Sequence, residues 1–117
     1  ITGDKMFSKF FGGGAVKNLN ATEFHDNFKK DPNAVLLDVR TAGEFSMGYI
    51  PGAKLIDLMS PNFMGQVEKL DKTKSYYVYC RSGNRSYQAG VMMHKAGFEN
   101  VYNLAGGIMS WKFEIKR

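Results

Sequence analysis

The 117-residue chain has one cysteine, Cys80, which excludes an internal disulfide framework and a zinc site built from several thiolates. Histidine is nearly as scarce, and no metal constellation can be assembled around His25 and His94. No apolar run approaches the roughly 18 to 20 residues that span a bilayer. A secretory leader is not visible, because Asp4, Lys5 and Lys9 interrupt the segment that should be apolar. The chain starts without Met, as a trimmed form would, so a removed leader stays open. Dense basic runs are missing too: twelve lysines are scattered from Lys5 to Lys116 with no aromatic-basic motif beside them, so the net charge of +5 reads as a solvated surface rather than a nucleic-acid interface.

What remains is one domain's worth of chain, 44% hydrophobic and 23% charged, as in globular proteins. The lone thiol fits a reducing, cytoplasmic compartment, with the periplasm as the alternative if a leader was removed. Residues 1 to 14, with GGG at 12 to 14, read as a flexible tail before a single domain over 15 to 117.

Along that domain the hydrophobic period alternates. NATEFHDNFKKD (20 to 31) sets Phe24 and Phe28 four apart behind an Asn or Thr cap, which predicts a short amphipathic helix ending near Pro32. AVLLDV (34 to 39) is a continuous apolar run, typical of a strand covered on both faces. Thr41 and Glu44 have capping-box spacing for a helix through about Met47, and GYIPGAKLI (48 to 56) turns into a second short strand. Ser60 as cap and Pro61 at the first helical position predict a helix over 60 to 70. SYYVYC (75 to 80) is a third strand, 85 to 97 an amphipathic helix closed by Gly97, and NVYNL (100 to 104) a fourth strand before a last helical turn. Strand and helix alternate throughout, which predicts a three-layer α/β domain around a mostly parallel sheet flanked by helices.

In such sheets the working site lies beyond the carboxyl ends of the strands. Cys80 ends its strand there, followed by Arg81, Ser82, Gly83 and Asn84 as a turn and by a helix from about Arg85 or Ser86. A helix start offers unpaired amides and the positive end of a dipole, and Gly83 supplies a torsion that a side chain would penalise. Amides converging on the sulfur would form an anion nest, lower the thiol pKa and make the thiolate a nucleophile. Arginine is rare, four against twelve lysines, yet Arg40, Arg81 and Arg85 all follow strand ends expected to open on this site. Guanidinium groups grip oxyanions through paired bonds, so the site is expected to receive an anion. A buried inert cysteine is the commoner arrangement, but it needs no polar loop beyond it.

The segments LLDVRTAGEFSMGYIPGA (36 to 53), YCRSGNRS (79 to 86) and NLAGGIMSW (103 to 111), in this order and spacing, resemble the single-domain rhodanese-like sulfurtransferases. The resemblance covers about Asn18 to Phe113 and implies that fold. It also implies a reaction in which Cys80 takes a sulfane sulfur from a small anion such as thiosulfate, carries it as a persulfide and passes it to cyanide, a thiol or a protein acceptor. Carried over by residue, Cys80 is the nucleophile and Arg81 to Ser86 the cradling loop. Asp38, Arg40 and Glu44 match the supporting DVR-x-x-E-F motif. Tyr49 departs from the family, where His commonly precedes Ile-Pro-Gly-Ala. Phosphatases and arsenate reductases of the same fold use Cys-x5-Arg; Cys80 and Arg85 here make the shorter Cys-x4-Arg, which suits one added sulfur better than a tetrahedral oxyanion.

No cofactor is expected, nor any nucleic-acid or membrane partner, and the chain is expected to be a monomer. Thiosulfate would dock its sulfonate on Arg81 and Arg85, with no general base needed if the thiol is already ionised. His94 falls in the last turn of the helix after the cysteine, so a Cys–His pair is not expected. Asp38 and Glu44 read as structural partners of arginine and of backbone amides rather than as an acid/base pair. Phe45 and Tyr87 are candidates equally for the pocket mouth and for ordinary packing.

Overall fold

The computed structural model describes residues 16–117; the tail expected over residues 1 to 14 lies outside them. Strands Val16–Leu19 (β1), Ala34–Asp38 (β2), Lys54–Leu55 (β3), Ser75–Tyr79 (β4) and Asn100–Leu104 (β5) form one sheet in the order β1-β5-β4-β2-β3. Every strand pair is parallel. The connections carry the helices Ala21–Lys30 (α1), Ala42–Ser46 (α2), Phe63–Val67 (α3) and Asn84–Lys95 (α4), with a 3-10 turn at Ile108–Ser110. The α/β reading of the alternating periods is therefore correct.

Side chains on a strand alternate between faces, and β4, central in the sheet, sorts its own into two cores. Tyr77 and Tyr79 join Phe24 of α1, Leu36, Ile50 and Leu104 on one face. Tyr76, Val78 and, continuing the alternation, Cys80 join Phe63 and Val67 of α3 and Ala89 and Met93 of α4 on the other. The rings of Phe24 and Phe28 meet Tyr77 edge-on at 5.4 and 5.7 Å, an arrangement aromatic quadrupoles favour. Each fully buried ring or aliphatic side chain here contributes on the order of 2 kcal/mol of transfer free energy.

Three expectations are corrected. β1 was not foreseen as a strand; its register is fixed by β5, with Asn18 opposite Asn103. The helix expected over 60 to 70 spans only Phe63–Val67, because the Ser60 hydroxyl accepts from the Asn62 amide, two residues on, and so closes a turn rather than capping a helix. Cys80 stands one residue past the end of β4 instead of in it.

Candidate active site

Cys80 is held by the backbone on both sides. Its carbonyl accepts from the Ile108 amide at 2.9 Å, and that of Arg81 accepts from the Met109 amide at 3.2 Å. The segment after β5 thus lies against the cysteine loop, closely enough that a Cβ on Gly107 would run into the Arg81 carbonyl. Gly83, at φ +106°, is the N-cap of α4, and a Cβ there would collide with the Ala105 carbonyl. Both positions require glycine for close approach as well as for torsion.

Inside this frame the sulfur accepts from the Gly83 amide at 3.1 Å and from the Ser86 hydroxyl at 3.3 Å. Burial pushes the Cys80 thiol up, but the Ser86 hydroxyl and the amides of Ser86, Gly83 and Ser82 outweigh it and hold the thiol below its ordinary value. The sulfur is more enclosed than a strand-end position suggests. Cys80 is 1% exposed, because the alternation along β4 turns it under the first turn of α4 rather than toward solvent.

The arginines divide their work differently from the sequence reading, which had all three open on the cysteine. Arg40 turns to the opposite face of the sheet, its guanidinium 5.6 Å from the Tyr79 ring centroid. There it binds both oxygens of the fully buried Asp38 and donates to the Gly48 carbonyl at 2.7 Å. A carboxylate that deep requires such a partner. Arg85 makes paired bonds of 2.8 and 2.9 Å to Glu44, tying α2 to the first turn of α4. Glu44 also closes the capping box with Thr41, and chiefly through Arg85 its carboxyl is held down to about 2. Arg81 is exposed and makes no ion pair among the described residues. Ser82 and Asn84 are exposed on the loop, and Ser86 is buried beneath it.

Neither histidine approaches the sulfur's hydrogen-bond set. His94 is in the last turn of α4, and His25 stacks on Phe113 at 3.8 Å. Phe45 stacks on Tyr49, the residue in the usual histidine position, at 4.2 Å. Tyr87 lines a cleft of about 380 Å³ behind the loop, with Asn18, Gly83, Asn84, Asn103 and Ala105. The sequence reading passed over Asn103, which is buried in β5 and donates to the Gly83 carbonyl. A polar residue inside an apolar strand was the available signal. No described group of His, Cys, Asp and Glu is arranged to hold a metal ion.

A parallel α/β sheet that sets a lone thiol against the amides of a helix start defines the class of domain this chain forms. Comparison narrows the class. The family model described as "Rhodanese-like domain" matches residues 20–114, and the chain belongs to that family. A relative from Allochromatium vinosum named "Sulfurtransferase" is 32% identical over 97 residues, covering 82% of this chain and 88% of its own. Among solved structures, a rhodanese-like domain protein from Staphylococcus aureus matches with a TM-score of 0.72 at 30% identity, over 86% of this chain and 96% of that one. A rhodanese-related protein from Thermoplasma volcanium matches with a TM-score of 0.74 at 28% identity, over 86% and 97%.

Proposed function

We propose that this chain is a sulfurtransferase in which Cys80 carries the transferred sulfur. The Cys80 thiolate attacks the outer sulfur of a sulfane donor such as thiosulfate. The new S–S bond forms as the bond to the sulfonate sulfur breaks, and sulfite leaves with that electron pair. The terminal persulfide sulfur, now negative, is held by the same amides and the Ser86 hydroxyl that stabilised the thiolate. Attack on that sulfur by cyanide or a thiolate returns Cys80 as the leaving thiolate. One observation carries the reading: a thiol whose pKa is held down by three amides and a hydroxyl, with no base beside it.

Arg81, exposed and unpaired among the described residues, suits the donor's sulfonate. Arg85 can assist only by leaving Glu44. The same pairing counts against the phosphatase reading, because a phosphate would need that guanidinium turned into the loop. The burial of Cys80 favours a second reading, a sulfur carrier that discharges onto a protein able to open the loop.

Intact-mass measurement after incubation with thiosulfate tests the chemistry. An added mass of one sulfur atom, absent in Cys80→Ser, is expected, and no adduct from any sulfane donor would refute it. Sulfite release in steady state with cyanide or small thiols identifies the enzyme; charging that discharges only onto a protein identifies the carrier.

A further inference from the structure

Asn103 is an anomaly in its strand. It is 2% exposed, on the α4 face of the sheet, between Val101 of the core and the segment that meets the cysteine loop. Burying a carboxamide is unfavourable unless it forms hydrogen bonds, and its Nδ2 makes two: to Asn18 Oδ1 on β1 at 2.8 Å and to the Gly83 carbonyl at 3.2 Å. The second bond reaches the residue whose own amide points at the sulfur at 3.1 Å.

Gly83 packs closely on the Ala105 carbonyl, but few hydrogen bonds fix its orientation. Its torsion is one in which glycine is permissive, and α4 has no side-chain cap. The Gly83 carbonyl also accepts from the Tyr87 amide at 3.1 Å, but that bond belongs to the helix and moves with it. Asn103 is anchored in the sheet instead, at a register position fixed on both sides by β1 and β4. It therefore links the loop to the sheet rather than to α4.

We propose that Asn103 is a positioning residue for the thiolate. Its Nδ2–H anchors Gly83 through the carbonyl and so holds the residue in the place from which its amide donates to Sγ. The role rests on the reading of Cys80 as nucleophile. The other charged groups near the sulfur are Arg81, Arg85, the Glu44 that Arg85 binds, and Asp57, whose charge acts on Arg85. Guanidinium and carboxylate groups keep their charge over the range in which a thiol titrates, so a shift of that titration reports the hydrogen bonds.

The test is the pH profile of Cys80 alkylation by iodoacetamide in the wild type, Asn103→Ala and Asn103→Ser. Thermal melts and exchange of the Gly83 amide proton are followed alongside. Ser is the milder variant, kept in case the Ala protein folds poorly. Both should move the inflection up by about half to one pH unit, the range of one weakened hydrogen bond to an anion. Gly83 amide exchange should quicken more than that of Val78 in β4. A merely structural residue would lower the melting temperature and leave the inflection in place, and that result overturns the proposal alone. A wild-type inflection at the ordinary thiol value overturns the nucleophile reading, and this proposal with it.

Discussion

Replacing Ser86 by alanine removes one donor to the sulfur and little else. The hydroxyl donates to Sγ at 3.3 Å, while the Ser86 amide, which also points at the sulfur, survives the change. A hydrogen bond to a charged group contributes about 1.5 to 3 kcal/mol. Sulfur spreads its charge over a large atom, so the lower end applies, equivalent to about one pH unit. At any pH well below the inflection the thiolate fraction then falls about tenfold. The more basic thiolate is intrinsically about threefold more reactive, since nucleophilicity rises with pKa at a slope near 0.4 to 0.5. The net loss in alkylation rate is about three- to fourfold, with the inflection moved up by the full unit. Iodoacetamide is the suitable reagent, because Cys80 is buried and a bulky maleimide would report loop opening instead. Ser82→Ala is the control: Ser82 reaches the sulfur through its amide, which alanine keeps. An inflection that stays put in Ser86→Ala, or that moves equally in Ser82→Ala, would refute the nest as the source of acidity.

Two further outcomes follow from the charged residues. The folded Glu44 carboxyl, near 2 against an ordinary 4.5, contributes stability that is complete above about pH 4.5 and is lost as pH falls through about 2. Allowing for partial exposure, that is about 2 kcal/mol. Glu44→Gln keeps the capping box, so urea unfolding should show the wild type ahead by that much at pH 7 and the gap closing toward pH 2; a gap independent of pH sinks the assignment. Arg81→Ala should raise KM for thiosulfate by about five- to tenfold with kcat nearly unchanged and leave an uncharged persulfide donor unaffected. Equal effects on both donors would argue against anion docking there.

How far the sequence could be read depended on how local each signal was. The Thr41–Glu44 capping box is complete within four residues and formed, and of the Asn or Thr caps expected for α1 it is Asn20 that caps the helix. The runs at 34 to 39 and 75 to 80 announced buried strands because parallel strands covered on both faces need no alternation. β1 escaped because it is a four-residue edge strand with Lys17 and Asn18 exposed, and it is a strand only because β5 lies beside it. Ser60 and Pro61 misled because a hydroxyl that can cap a helix can also close a turn, and only the amide it reaches tells them apart. The nest was legible from Cys80, Gly83 and the helix start together. The direction of each arginine was not, since it depends on Asp38 and Glu44 finding partners in three dimensions.

The sorting of β4 makes parity decide chemistry. Moving that strand along its neighbours by one residue would keep every hydrogen bond of a parallel ladder available, yet it would exchange the two cores. The thiol would then lie among Phe24, Leu36 and Leu104, on the side of the sheet away from α4. No amides would turn toward it there, and it would be an ordinary greasy side chain. A single inserted or deleted residue between Ser75 and Tyr79 should therefore silence the cysteine without touching it.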